Sequence, residues 1–352
     1  WTRKLPGGLA VCTILLGVVF AAASGVVGAT ETVIGLLAIP IMMKHGYDKS
    51  LISGTICSGG SLGTVIPPSV LVIIMAPVAD VSVGDLFAGL LFPGLIMAAL
   101  FIAYIVVRCM ITPSLAPRIE IPVEDMPSWS EMIRSTGFAL LPPVFLIFTV
   151  LGTILMGLAT PTEAAACGAI GAAVLTALNG QFTISVLSDA ARRTMLVTAM
   201  ILTILLAGNM FAGVFIASGG ISTVKDLIAA LDLSTWSILL LILGLAFVAG
   251  FALDLVSVIL VFVPIALPVI RTLGFDPVWF CILFLVVIQT SYLTPPMAPS
   301  IFYLRAISPP EITLRHMYRG VVPFIGLQIV TLILVMMFPA LALWLPRVLL
   351  GF

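Results

Sequence analysis

Three segments of this chain read plainly as apolar stretches of spanning length, each more than twenty residues long and without a charged side chain: Leu86 to Val107, Phe138 to Leu158 and Val321 to Leu343. About 20 such residues suffice to cross about 30 Å of hydrocarbon. Inside a bilayer every backbone donor and acceptor must be satisfied within the protein, so such a chain folds as membrane helices. Met195 to Ala217 reads as a fourth span, interrupted by Gly208-Asn209, and Ala164 to Leu178 as a shorter one. Composition agrees: 61% of the residues are apolar and 9% charged, against about 25% charged in soluble domains. The expectation is an all-α polytopic membrane protein. A formal net charge of zero removes the electrostatic case for a nucleic-acid partner. The five cysteines lie in apolar stretches with no C-x-x-C spacing and read as small buried hydrophobes.

The remaining apolar segments are broken in the middle. Leu9–Ala23 and Thr32–Met43 flank a polar, glycine-rich tip, Ser24 to Glu31. At 1.5 Å per residue each arm reaches only about 20 Å, which predicts a re-entrant hairpin. Leu51–Ser61 and Val70–Ala76 flank Leu62 to Ser69, whose Pro67-Pro68 pair cannot continue a helix. The pattern returns. Pro40, Asp48, Pro67 and Pro68 recur as Pro268, Asp276, Pro295 and Pro296, each 228 residues later (268−40 and 276−48, for instance). This register reads as an internal repeat. Its second copy has a hairpin, Trp236–Ala249 and Leu255–Ile270 around Gly250–Asp254, and a broken helix, Val278–Phe302, around Thr294–Met297.

Five crossings separate the two hairpins, an odd number, so the repeats are expected to be inverted. Charge points the same way. With the first hairpin opening to the cytoplasm, twelve Lys and Arg lie inside, among them Arg3, Lys4, Arg108, Arg118 and Arg319, and only Lys225, Arg271 and Arg347 lie outside, as the positive-inside rule requires. Residues 1–112 are then the second part of inverted repeat 1, residues 113–136 a cytoplasmic linker and residues 137–352 inverted repeat 2. The register expects roughly 40 to 90 further residues ahead of Trp1.

Irregular backbone at membrane depth persists only where an ion, water or protein satisfies it. Discontinuous helices at corresponding positions of inverted repeats mark a transport site, with unwound carbonyls and half-helix ends coordinating cations. The tips expose carbonyls and hydroxyls, which suit Na+. Ser24, Gly25, Gly28, Thr30, Gly63, Thr64 and Pro67 are therefore expected to form one Na+ site, and Gly250, Asp254, Thr294, Pro295 and Met297 its repeat-related partner. Ser61, Asp254 and Thr294 are the expected substrate contacts. Asp254 reads either as a functional intramembrane acid or as a helix cap. Glu31 is either functional or directed toward the cytoplasm or a neighbouring subunit. Thr160-Pro161-Thr162-Glu163 reads as a capping box opening a helix. His45 and His316 have no zinc-ligand spacing and no G-x-x-x-x-G-K-[ST] loop is present, so neither zinc enzymology nor ATP hydrolysis is expected, and no cofactor beyond Na+ as coupling ion.

The stretches Gly25–Glu31, Gly46–Asp48, Gly63–Ser69, Gly157–Ala166, Leu253-Asp254 and Leu293–Met297 resemble the large membrane subunit of the tripartite ATP-independent periplasmic (TRAP) transporters, over nearly the whole chain. The resemblance implies a Na+-driven importer of small organic acids such as C4-dicarboxylates, embedded as a multi-pass protein in a bacterial inner membrane. It implies a periplasmic substrate-binding protein and a small four-helix membrane subunit as partners, and an elevator mechanism. The first tip departs from the commonest family form: Val26-Val27 stand in place of a serine pair, and Glu31 is unusual there. The residues alone leave open a stand-alone carboxylate symporter or anion permease of the same architecture, and more weakly a channel.

Overall fold

The computed structural model describes residues 2, 5–117, 128–220, 222–223, 226 and 233–351. Arg3, Lys4, Arg118 and Lys225 of the charge count, and residues 118–127 of the expected linker, lie outside the described residues. Among the described residues the structure is helical throughout. α1 (Gly8–Ser24) and α2 (Val27–Lys44) make the first hairpin; α3 (Lys49–Ser61) and α4 (Val70–Ala79) are the arms of the first broken helix; α5 is Val83–Ile111. α6 (Trp129–Ile147), α7 (Pro161–Leu178) and α8 (Ile184–Ala217) follow. α9 (Thr235–Ala249) and α10 (Leu255–Thr272) make the second hairpin, α11 (Pro277–Leu293) and α12 (Pro299–Ile307) the second broken helix, and α13 (Leu314–Met337) and α14 (Ala340–Leu350) close the chain. Among the described residues seven helices are long and apolar enough to span a membrane, so this is a multi-pass membrane protein. Two of the seven are the hairpin return arms α2 and α10, of 18 residues each, which reach about 27 Å.

The 228-residue spacing reappears in the backbone. α2 and α10 start at Val27 and Leu255, and α3 and α11 at Lys49 and Pro277. Each of α2 and α10 is followed by a left-handed glycine, Gly46 (φ 70°) and Gly274 (φ 80°), a conformation that costs glycine nothing. An aspartate then caps the next helix. Asp48 accepts from the Ser50 and Leu51 amides at 2.9 and 3.0 Å, and Asp276 from the Val278 and Trp279 amides at 2.8 and 3.1 Å. The prolyl bonds Pro67-Pro68 and Pro295-Pro296 are both cis.

Packing crosses between the halves. α2 packs on α3 and on α12, while α10 packs on α11 and on α4. Each hairpin thus rests on the first arm of its own broken helix and the second arm of the other. α13 packs on α3, and α5 on α11. At the centre lie Phe101, Phe280, Phe284 and Phe324, all essentially inaccessible, with Phe101 and Tyr104 set edge-on to Phe324 at 5.3 and 5.2 Å.

Four expectations change. The Val321–Leu343 stretch is two helices, because Phe338, preceding Pro339, leaves the helical region (φ −123°, ψ 77°) as residues before proline do. Gly208-Asn209 does not interrupt α8. Gly208 is buried where a Cβ would come within 2.9 Å of the Leu260 Cβ, so it is a close-packing glycine rather than a breaker. The first tip is shorter than the Ser24–Glu31 stretch. Gly25 (φ 62°) closes α1 by donating to Ala21 O, Val26 is extended, and α2 resumes at Val27. Glu31 consequently sits within α2, fully buried, not facing the cytoplasm or a neighbour. The capping box at α7 forms as read: the Thr160 amide donates to the Glu163 carboxylate at 2.8 Å and the Glu163 amide to Thr160 Oγ1 at 3.4 Å.

Candidate functional site

The first tip is seated in the first break. Gly25 O accepts from the Val70 amide at 3.3 Å, and a Cβ on Gly25 would lie 2.8 Å from Pro68 O. On the other side of the break, a Cβ on Gly63 would lie 3.5 Å from the Val26 carbonyl carbon. Ser24 and Thr30 close the tip on itself through their hydroxyls at 2.7 Å, and Thr30 Oγ1 also donates to Val26 O at 2.9 Å. Gly28 faces the Tyr303 ring of α12, 2.8 Å from where its Cβ would be. The tip therefore touches both broken helices.

Within the first break, Thr64 Oγ1 donates to Ser61 O at 2.9 Å and Pro67 is buried. Ser69, which starts α4, is fully buried and its hydroxyl has no partner among the described residues. Sequence reasoning passed over Ser69; its position directly after Pro67-Pro68 and ahead of an apolar run was the available signal.

The second tip meets the second break through Gly250. A Cβ there would fall 2.1 Å from Ser291 Oγ, so a side chain at this position would force Ser291 to move. Ser291 lies 228 residues after Gly63, so the two tips touch their breaks at corresponding break residues, through Val26 in the first and through Gly250 in the second. Thr294 Oγ1 donates to Thr290 O at 2.6 Å, Pro295 is half-buried and Met297 is 49% exposed. Asp254 is exposed and turns onto its own helix: the Val256 and Ser257 amides donate to Oδ2 at 3.0 and 3.3 Å, and the Ser257 hydroxyl to Oδ1. It caps α10, while Val26 at the same place before α2 has no side chain that can cap.

Two polar groups make buried contacts that their place in the sequence does not show. Glu31 is wedged beside Gly60 of α3, whose missing Cβ makes the room; the Ser300 hydroxyl of α12 donates to Oε1, and Oε2 has no partner among the described residues. Ser61 lies at the packed centre, its Oγ accepting from Gln289 Nε2 at 3.2 Å and Gln328 Nε2 at 3.3 Å and donating to Ser58 O at 2.8 Å. No hydroxyl capacity is left there for a ligand in this conformation.

A profile of the tripartite ATP-independent periplasmic transporter DctM component matches residues 3–341. The chain belongs to that family. It is similar to a C4-dicarboxylate TRAP transporter large permease protein DctM of Pseudomonas aeruginosa, with 31% identity over 97% of this chain and 78% of that protein. An ectoine/5-hydroxyectoine TRAP transporter large permease protein of Ruegeria pomeroyi is 31% identical over 98% of the chain and 78% of its own length. An isethionate TRAP transporter permease protein of Oleidesulfovibrio alaskensis is 28% identical over 97% of the chain and 52% of its own length. DctM components are transporter permease subunits, and this chain is not an enzyme.

Proposed function

We propose that this DctM-family chain is the permease subunit of a Na+-coupled importer of small organic acids in a bacterial inner membrane. It works with a small four-helix membrane subunit and with a periplasmic binding protein that delivers the substrate. The observation that carries this reading is that each glycine tip is seated against its own helix break, Val26 on Gly63 and Gly250 on Ser291, and that the two break residues so touched stand 228 residues apart. Such paired breaks present carbonyls and helix ends at one depth, the chemistry of a cation site coupled to an anionic substrate. In this reading residues 1–112 and 137–352 are inverted repeats and residues 113–136 link them. The two hairpins enter from opposite faces without crossing, and hairpins and broken helices move together against the rest in an elevator motion.

The relatives' printed names include dicarboxylate, ectoine and isethionate transporters. They share small, highly polar solutes bearing a carboxylate or sulfonate, which supports the organic-acid class here. The test is uptake into liposomes holding the chain, the small subunit and the binding protein, with and without an inward Na+ gradient. Uptake that needs all three proteins and the Na+ gradient is the expected result. Uptake by this chain alone, or without Na+, overturns the tripartite Na+-coupled reading.

A further inference from the structure

The structure contains two cavities that the repeat builds twice with opposite charge. One, of about 150 Å³, is bounded by Asp48, Ser50 and Leu115. The other, of about 290 Å³, is bounded by Asp276, Val278 and Leu343, which are the same three positions 228 residues on. The shared framework leaves the remaining lining free to differ, and it differs in charge. The larger cavity adds Asp80, Asp85 and Arg347. The smaller adds Arg108, Arg319 and Tyr104. A fold-imposed cavity has no need of a second guanidinium, so the basic pair calls for its own explanation.

Three observations define what the basic cavity holds. First, among the described residues no carboxylate lies within ion-pair distance of Arg108 or Arg319; the ion pair found there is Arg271 with Asp80. Asp48 shares the cavity, but its Oδ1 is engaged by the Ser50 and Leu51 amides, leaving two guanidiniums facing one capping carboxylate. Second, Tyr104 is fixed by its ring packing on Phe324 at 5.2 Å, so the phenol is presented as a rigid donor beside the arginines. Third, depth: α5 has 29 residues and reaches about 43 Å, beyond the roughly 30 Å hydrocarbon core. Arg108 lies in its last turn and Arg319 in the second turn of α13. Charged side chains avoid the hydrocarbon interior, so this cavity lies at headgroup level. Beside it the apolar side chains of Met110 (63% exposed), Ile111 (71%) and Val322 (59%) face outward.

From these we propose that Arg108, Arg319 and Tyr104 form a binding site for the phosphate of an anionic membrane phospholipid, its acyl chains lying along Met110, Ile111 and Val322. Two guanidiniums and a phenol are donors only or donors first, and they match phosphate oxygens in number and geometry. Basic pockets between membrane helices on the cytoplasmic side are where anionic headgroups collect. The bound lipid ties the end of α5 to the start of α13, one helix from each half of the chain.

The test is lipid titration of the full chain, purified and delipidated, read by native mass spectrometry. Phosphatidylglycerol is compared with phosphatidylcholine of the same acyl chains. The expected result is about tenfold tighter binding of phosphatidylglycerol, equivalent to about 1.4 kcal/mol. Arg108→Gln with Arg319→Gln should bring the two lipids to parity, and Arg347→Gln in the acidic cavity should leave the preference unchanged. Equal binding of the two lipids by the wild-type chain overturns the proposal without recourse to any variant. So does a preference that survives in the double variant. A wild-type preference erased by millimolar inorganic phosphate overturns the lipid assignment and leaves a free-anion site instead.

Discussion

Ser61 and Gln289 stand 228 residues apart and hydrogen-bond to each other at 3.2 Å in the buried centre of the molecule. That spacing is the register at which the prolines, the helix-capping aspartates and the left-handed glycines recur. In the proposed repeat arrangement two equivalent residues meet only on the axis relating the halves, so this bond marks the axis. Gln328 joins it through the same hydroxyl.

Ser61→Ala removes the acceptor for two buried amides at once. Leaving buried donors unpaired costs about 1–3 kcal/mol. Thermal unfolding of Ser61→Ala should therefore fall by several degrees, while the exposed Ser135→Ala should not move. An unchanged midpoint for Ser61→Ala would show that the three-residue network contributes nothing.

At the second tip, Gly250→Ala places a methyl on Ser291 Oγ. Overpacking of this kind typically costs about 1–3 kcal/mol. Adding Ser291→Gly removes both atoms in the way, so the double variant should recover uptake that Gly250→Ala loses. A purely additive double variant argues against contact between tip and break. Gly244→Ala, with open space around it, is the control.

Asp254→Asn separates charge from capping, because Asn caps a helix about as well as Asp. The variant should insert and unfold normally yet need more Na+ for half-maximal uptake, with a rate reduced about tenfold, equivalent to about 1.4 kcal/mol. Normal uptake with normal Na+ dependence would leave Asp254 as the α10 cap and nothing more. Thr64→Val and Thr294→Val are expected to raise the Na+ requirement in the same assay.

Glu31 has one buried carboxylate oxygen without a partner among the described residues. Glu31→Gln keeps the shape and the Ser300 bond, removes any charge, and should be at least as stable as wild type. Glu31→Ala opens a cavity between α2, α3 and α12 and should lose about 2 kcal/mol or more by the cost of deleting buried methylenes. Differential scanning calorimetry in detergent distinguishes the two; equal losses from Gln and Ala would mean that the charge itself is held by something the side chain needs.

Much of the chain is legible residue by residue. Uncharged stretches such as Leu86–Val107 announce membrane helices, because lipid tolerates only internally bonded apolar backbone. Pro67-Pro68 and Pro295-Pro296 announce breaks, because proline lacks the amide that a helix requires. Asp48 and Asp276 announce helix starts, and the constant spacing between such signals announces the repeat. These are local signals, each written within a few residues.

What only the tertiary structure decided is which distant segments touch. α2 lies on α12 and α10 on α4; Glu31 reaches Ser300, 269 residues away; Arg108 and Arg319 line one cavity. Apolar faces of membrane helices are chemically interchangeable, so their pattern names no partner. Partner choice comes from close fit instead, such as the absent Cβ of Gly60 that admits Glu31 or that of Gly250 that admits Ser291, and such fit exists only once both surfaces are in place.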